Sequence, residues 1–245
     1  MGALQMDAMT WQEIRAEQQR GRGAVVLAFG ATEQHGPHMP LATDALIGDH
    51  LALLVAEHLD AFLAPTVRLG CSEHHLEFPG TISISAETFR ALVADIVASL
   101  ARGGFERVIL LPTHGGNFGP LAEAIDHLGP DPGIEIRALT DVGALLAIAQ
   151  VGAEEHGVPM GEGGLHAGEW ETSMMQSIHP EMVREDRRES GYTGDPEQAI
   201  GALFASGTHA VAENGVIGDP ARASAEHGER YWDEVLRITL EKVAS

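Results

Sequence analysis

Short apolar segments alternate along the chain with longer segments in which apolar residues recur at helical spacing. Residues 24–29 and 105–112 contain apolar runs that are rich in β-branched and aliphatic side chains and too short for helices, so they predict buried parallel strands. Two further apolar segments, 62–69 and 134–140, predict additional strands. The helical pattern predicts helices at residues 10–19, 45–59, 86–102, 117–128, 165–178 and 223–243.

Strands and helices alternate without an internal repeat or a linker, which predicts a single domain over residues 1–245. We expect an α/β fold, namely a three-layer α/β/α sandwich with a mostly parallel sheet. Thr10, with Glu13 three residues later, predicts a capping box at the start of the first helix. Residues 141–164 do not follow the alternation, and their apolar run and glycine-rich loop indicate either a lid or a subunit contact.

The charge and the cysteine content narrow the classes of partner and compartment. Of 245 residues, 36 are acidic and 15 are lysine or arginine, which gives a formal net charge of -21. Such a surface repels nucleic-acid backbones and anionic membranes, so we expect neither as a partner. The single cysteine, Cys71, excludes an internal disulfide and is typical of a reducing cytoplasm. We expect no signal peptide and no membrane span, because neither pattern occurs in the sequence.

Four residues of metal-ligand type follow the first long strand, in a loop rich in glycine and proline. They are Glu33, His35, His38 and Asp44. Loops at the carboxyl ends of strands carry the active sites of open α/β sheets, and this loop has that position. Glu33 and His35 leave an extended backbone on the same face, and Asp44 begins the next helix, where free N–H groups favour a carboxylate. The alternative is that Asp44 only caps the helix and the histidines lie on the surface.

Two more segments are expected to bring candidate ligands to the same sheet edge. His114 follows the strand in residues 105–112 and begins a His-Gly-Gly-Asn motif, and residues 166–171 combine His166 with two glutamates. Carboxylates and imidazoles together suit zinc, manganese or iron. The set is too large for one open catalytic ion but sufficient for two ions that share a bridging carboxylate. The sequence contains neither a Gly-x-Ser-x-Gly nucleophile motif nor a phosphate-binding loop.

Four motifs together resemble the creatininase (creatinine amidohydrolase) family and occur in the order of that family. They are Glu-Gln-His-Gly-Pro-His-Met-Pro-Leu-Ala-Thr-Asp at 33–44, Phe-Pro-Gly-Thr-Ile-Ser at 78–83, His-Gly-Gly-Asn at 114–117 and His-Ala-Gly-Glu-Trp-Glu-Thr-Ser at 166–173. The resemblance implies an α/β/α fold, a site for two divalent metal ions per chain, and commonly a homohexamer.

The same resemblance implies roles for individual residues. Glu33 and His114 would hold one ion, His35 would hold the other, and Asp44 would bridge the two. Ser72 would contact the substrate, unless it is only a turn residue, and the substrate contacts would include Gly115.

The chain departs from creatininase itself at positions that bear on specificity. Gly116 stands where creatininase has a glutamate that holds the second ion, and Gly115 stands where it has a tyrosine. Thr113 replaces the glycine usual before His114, and residues 152–165 lack the tryptophans that cover creatinine. The chain therefore resembles the wider family more than creatininase. That family includes a deformylase of a formamidopyrimidine nucleotide and the peptidase of mycofactocin maturation.

The absent glutamate leaves the second ion one ligand short, and the segment after His166 offers two replacements. On an ideal helix Glu169 shares a face with His166, whereas Glu171 is rotated away from it. An irregular start at Ala167 and Gly168 would let Glu171 turn toward the site, and the Glu-Thr-Ser pattern of the family favours it. We predict Glu171 as the ligand, or as the partner of a ligand, with Glu169 as the alternative.

These residues predict a metal-dependent amidohydrolase that cleaves a carbon–nitrogen bond of a small cyclic or linear amide. A hydroxide held between the ions would attack the carbonyl, and His166 would transfer a proton to the leaving nitrogen. The alternatives are a peptidase that trims a short peptide and a non-catalytic metal-binding protein with a decayed site. His74 and His75 are expected in solvent, and Trp170 in the core or in a pocket wall.

Overall fold

The computed structural model describes residues 2–244, without the side chains of residues 144–146, 149 and 197, so the first and last residues of the predicted domain lie outside it. The strands within this range are β1 (Leu4–Gln5), β2 (Ala24–Phe29), β3 (Phe62–Leu63), β4 (Arg107–Pro112) and β5 (Glu135–Ala138). The α-helices are α1 (Trp11–Gln19), α2 (Thr43–Leu59), α3 (Ala86–Arg102), α4 (Phe118–Leu128), α5 (Gly143–Glu155), α6 (Met160–Gly163), α7 (Glu169–Ile178), α8 (Pro196–Ser206), α9 (Thr208–Val211) and α10 (Ala225–Val243).

The five strands form one sheet in the order β1-β3-β2-β4-β5, and each pair of neighbours is parallel. β2 and β4 pair along their whole length in the centre, from Ala24 opposite Arg107 to Phe29 opposite Pro112. The predicted strands at 62–69 and 134–140 are shorter in the structure, and β1 was not predicted. The central pair ends beside the loops that carry the candidate ligands.

Side chains of β2 alternate between two hydrophobic cores. Val26 and Ala28 pack with α2, α7 and α10 on one face of the sheet. Val25, Leu27 and Phe29 pack with α3 and α4 on the other face. Because helices cover both faces, every position of the strand except its first is buried and apolar. The predicted α/β/α sandwich is confirmed.

Several local predictions can be compared directly with the structure. The Thr10 side chain accepts from the Glu13 amide, and the Glu13 carboxylate accepts from the Thr10 amide, so the capping box is present. Residues 141–164, which the pattern left unassigned, form α5 and α6, and α8 was not predicted. No helix within residues 2–244 combines the length and the apolar character needed to cross a bilayer.

Candidate metal centre

The candidate ligands meet at the carboxyl ends of β2 and β4. Glu33 and His35 follow β2, and His114 follows β4 directly. Asp44 lies in the first turn of α2, whose N-cap is Ala42, so the alternative in which Asp44 caps this helix is wrong. The adjacent, parallel central strands therefore bring side chains separated by eighty residues to one point.

The backbone before α7 turns a further carboxylate toward this point. The helix begins at Glu169, and Ala167 has a left-handed conformation with φ of 53°. That conformation costs an alanine roughly 1–2 kcal/mol. The Ala167 amide donates to Oε2 of Glu171 at 2.6 Å, while Oε1 of Glu171 lies 3.7 Å from Nε2 of His35. The irregular start thus points Glu171 toward His35.

Two histidine–carboxylate pairs are joined by a shared aspartate. Nδ1 of His114 lies 3.2 Å from Oε1 of Glu33, and Nε2 of His35 faces Glu171 as described above. Asp44 stands between these pairs. Its Oδ1 lies 3.2 Å from Nε2 of His35, and its Oδ2 lies 3.3 Å from Nδ1 of His114. The Asp44 carboxylate therefore contacts both pairs, with one oxygen facing each.

Backbone carbonyls fix which ring nitrogen of each histidine faces the carboxylates. Nδ1 of His35 donates to the carbonyl of Glu33 at 3.1 Å, and Nε2 of His114 donates to the carbonyl of Cys71 at 3.1 Å. The opposite nitrogens, Nε2 of His35 and Nδ1 of His114, point into the cluster. Metal-binding histidines are oriented in this way by bonds from their other ring nitrogen.

The cluster holds three buried carboxylates, on Glu33, Asp44 and Glu171. In the described part of the chain, their ion-pair partners are all histidines. Burial alone would lower the pKa of His35, but Asp44 and Glu171 raise it well above its ordinary value, and Glu33 and Asp44 do the same for His114. Burial would raise the pKa of Asp44, but His35 and His114 hold it below its usual range. The cluster thus attracts positive charge.

The polar atoms of this cluster fit a metal centre. Oε2 of Glu33, Nε2 of His35 and Oδ2 of Asp44 are buried and make no well-formed hydrogen bond among the described residues, although the last two lie within 3.3 Å of an ion-pair partner. Buried polar atoms of this kind are rare unless a water or an ion satisfies them. Ligand atoms of Glu33, His35 and Asp44 lie within 4.8 Å of one another, as do those of His35, His166 and Glu171. The donor set of oxygens and imidazole nitrogens suits zinc, manganese or iron.

His166 lies beside the cluster, with one ring nitrogen fixed and the other facing a ligand. Its Nε2 donates to the carbonyl of Gln34 at 2.6 Å, and its Nδ1 lies 3.8 Å from Oε1 of Glu33. Burial, together with the nearby charge of His35, lowers the pKa of His166 to about 3. The imidazole is therefore neutral near pH 7, with a free lone pair on Nδ1.

His75, which was expected in solvent, is buried against Glu33, so that expectation is wrong. Its Nδ1 accepts from Nε2 of Gln34 at 2.8 Å and from Oγ1 of Thr208 at 3.0 Å. Its Nε2 therefore carries the proton and faces Oε1 of Glu33 at 3.3 Å. His74 is half-buried, and its ring lies parallel to that of His114. Both histidines follow a predicted strand, and this position in the sequence could have indicated that they lie at the site.

Gly116 leaves no space for the glutamate that creatininase has there. A Cβ on Gly116 would lie 2.3 Å from the Cys71 carbonyl oxygen and 2.5 Å from Nε2 of His114. A Cβ on Gly115, by contrast, would meet no atom within 4 Å, and this glycine lines the cavity described below. Ser72 is completely buried, with its Oγ 3.5 Å from Nε2 of His114.

Glu169 points away from the cluster into a separate network. Its carboxylate accepts from Oγ of Ser173 at 2.9 Å, Nδ1 of His227 at 2.7 Å and the hydroxyl of Tyr231 at 2.6 Å. Trp170, between the two glutamates, is buried and donates to the carbonyl of Gly164, and it lines the cavity as well as the core.

A cavity of about 310 Å³ lies against the cluster and gives it access to solvent. Glu33, His114 and His166 form part of its polar wall. Its remaining wall is largely apolar, and the contributing side chains include Trp170, Leu165, Ile200, Leu203 and Phe204. This size is sufficient for a small organic ligand or one part of a larger one.

Comparisons with known proteins agree with this site and fold. The mycofactocin precursor peptide peptidase of Mycobacterium ulcerans (strain Agy99) is 32% identical over 233 residues, which cover 90% of this chain and 84% of the relative. The creatinine amidohydrolase of Pseudomonas putida is 30% identical over 190 residues, covering 73% of each chain. A solved structure named "Creatininase Mn" superposes with a TM-score of 0.78 and 25% identity, covering 99% of this chain and 100% of that one.

The family model for creatinine amidohydrolase matches residues 7–243, which is nearly the whole chain. Together with the relatives and the parallel sheet, this match confirms the resemblance inferred from the four motifs. It also establishes the enzyme class, a metal-dependent hydrolase that acts on carbon–nitrogen bonds. The chain belongs to the creatininase family.

Proposed function

We propose that this chain hydrolyses an amide bond at a centre of two divalent metal ions. The observation that carries the proposal is the placement of Asp44 between two histidine–carboxylate pairs, with Oδ1 facing His35 and Oδ2 facing His114. A carboxylate with one oxygen directed to each of two ligand sets suits a bridge between two ions.

In this proposal Glu33 and His114 hold one ion, His35 and Glu171 hold the other, and Asp44 bridges them. Bound ions would polarise the substrate carbonyl and lower the pKa of a water molecule. Positive charge on the ions also offsets the three buried carboxylates and replaces the protons that otherwise reside on His35 and His114. Metal binding is therefore expected to release protons.

The proton transfers are assigned to His166. Its Nδ1 carries a free lone pair and faces the cluster, so it can accept a proton from the attacking water and return it to the leaving nitrogen. The bond from its Nε2 to Gln34 keeps the ring in this orientation. Gly115 lines the cavity and would contact the substrate there, whereas Ser72, buried behind His114, would act on the substrate only indirectly.

Two substrate classes are compatible with this chemistry. A small cyclic or linear amide corresponds to the creatinine amidohydrolase relative. A short peptide corresponds to the mycofactocin precursor peptidases, and the largely apolar cavity favours this second class. We further infer that the protein acts in the cytoplasm as a homo-oligomer, with six subunits as the expected number.

Metal analysis combined with an amide-substrate screen tests the proposal. Purified without chelator, the chain is expected to contain about two divalent ions and to hydrolyse at least one amide or peptide in a screen of both classes. Asp44→Asn should lose both ions and the activity, because the bridging carboxylate separates two cations. Asp131→Asn, at an exposed aspartate, is the matched control and should change neither. Full metal occupancy in Asp44→Asn would contradict the two-ion centre.

A further inference from the structure

The cavity at the metal centre does not end at Phe204. A second cavity of about 640 Å³ adjoins it, and the two share the lining residues His74, Gly116, Leu203 and Phe204. The ring of Phe204 lies 5.3 Å from that of His74, measured between ring centroids, so these two side chains form the boundary between the cavities. The two cavities are therefore adjacent, and a ligand long enough to pass this boundary would contact both.

Helix α8 forms the roof at this boundary. Ile200, Leu203 and Phe204 line the cavity at the metal centre from one face of this helix. Phe204 is 64% exposed and Ile200 is 38% exposed, an unusual exposure for large apolar side chains that face an active-site cavity. Their free surface is available to an apolar group of the substrate.

Part of the wall of the first cavity is backbone without side chains. Gly115 and Gly119 both line it, and a Cβ on either would meet no atom within 4 Å. Backbone without side chains lets another chain approach closely. A main chain can therefore lie along this wall while an apolar side chain contacts Ile200 and Phe204.

The second cavity is lined by two exposed acidic side chains, Glu73 and Glu77. Neither cavity has a lysine or arginine among its described lining residues. An anionic segment in the second cavity would thus face two carboxylates without a compensating cation, whereas a cationic segment would be attracted to it.

We propose that the site takes an extended peptide whose apolar side chain binds beneath α8 in the first cavity and whose continuation occupies the second cavity, where basic residues are preferred to acidic ones. This inference rests on the proposed amide hydrolysis and specifies its substrate. Phe204 and Ile200 then determine the apolar specificity, and Glu73 with Glu77 determines the charge preference.

A panel of blocked octapeptides of alanine tests the inference. Each contains one leucine, with lysine or glutamate placed two residues to one side of it, and both directions are included. Turnover by the zinc- or manganese-loaded protein is followed by mass spectrometry, with creatinine as the small-amide comparison. When the charged residue is on one particular side of the leucine, we expect kcat/KM for the lysine peptide to exceed that for the glutamate peptide at least fivefold. Creatinine should be a poorer substrate than the lysine peptide.

Variants connect the preference to the two cavities. Glu73→Gln with Glu77→Gln should reduce the lysine preference to within about twofold. The control pair Asp131→Asn with Glu229→Gln removes the same charge from other exposed positions and should leave the preference unchanged. Phe204→Ser should raise KM about tenfold for the leucine peptides and little for the same peptides with alanine instead of leucine. Metal content should stay unchanged in all three variants.

Binding to the metal-loaded protein of analogues of these peptides in which the amide bonds are reduced and resist hydrolysis, measured by calorimetry, separates this inference from the proposed function. A lysine preference in binding without hydrolysis of any amide would support peptide binding across the two cavities and contradict the catalytic proposal. Equal affinity and equal turnover for lysine and glutamate peptides would contradict the proposed peptide binding across the two cavities. Hydrolysis of creatinine without hydrolysis of any peptide would also overturn it, while the amide hydrolysis would stand.

Discussion

Replacement of Glu171 by glutamine is the most direct test of the proposal that this carboxylate holds a second ion. The side chain is buried, and glutamine keeps its shape while removing one of the three carboxylate charges. The new amide oxygen can still accept the Ala167 N–H that Glu171 now accepts at 2.6 Å. Its amide nitrogen would then face His35 and cannot ligate a cation. The substitution thus removes the ligand without removing the turn.

The structure gives the expected size of this effect. Two unit charges about 4 Å apart attract each other by about 4 kcal/mol at an effective dielectric constant of 20. A divalent ion would be attracted to the Glu171 carboxylate twice as strongly. The cost of removing the ion and the carboxylate from water is subtracted from this attraction. We therefore expect a net loss of about 3 kcal/mol for the second ion, which corresponds to roughly a hundredfold weaker binding. The ion held by Glu33 and His114 should be weakened much less.

Metal titration against a competing chelator, followed by elemental analysis of dialysed protein, measures both ions. Glu171→Gln should retain one ion per chain. Glu169→Gln is the matched control, because it removes the same charge from the same helix turn. It should retain both ions but lower Tm by roughly 5–10 °C, since the bonds from His227 and Tyr231 weaken. If Glu171→Gln keeps two tightly bound ions while Glu169→Gln loses one, the assignment is wrong.

Three further expectations can be measured independently. His75→Gln should weaken metal binding about 10- to 100-fold in chelator competition, because Glu33 loses its donor, whereas His127→Gln at an exposed site should not. Burial lowers the pKa of His38 to about 4. Since the unfolded chain takes up that proton near pH 6.5, the free energy of unfolding of the metal-free protein in urea should fall by roughly 3 kcal/mol more from pH 7 to pH 4 than that of His38→Asn. Light scattering should give a mass well above 26.0 kDa, the mass of one chain. A monodisperse monomer would contradict the inferred oligomer.

The central strands could be predicted because two-sided burial leaves a simple pattern. β2 and β4 lie between helices on both faces, so nearly every position is apolar, and such a run is visible in the sequence. β1 has only two residues, and its place at the sheet edge depends on pairing with β3. A segment this short carries too little pattern to identify. β3 was predicted from the apolar run at 62–69, but only two residues of that run form the strand, followed by a single bridge from Phe29 to Val67.

The site could be predicted in part, for a related reason. Glu33, His35 and His114 lie in the loops that follow two predicted parallel strands, so the sheet brings these loops together. His75 was misplaced because its burial depends on contacts distant in sequence, with Gln34 and with Thr208 of α9. A histidine in a loop has the same local pattern whether or not a later helix covers it.

The choice between Glu169 and Glu171 shows why spacing on an ideal helix was the wrong measure here. His166 precedes the helix, and the left-handed Ala167 breaks the rotation on which the comparison depended. Glu171 supports this break, since its Oε2 accepts the Ala167 amide while its Oε1 faces His35. The carboxylate proposed to hold the second ion is thus bonded to the residue next to His166. Removal of that hydrogen bond, as in Glu171→Ala, should therefore disturb the proton carrier as well as the ion, and lower turnover more than the metal content alone accounts for.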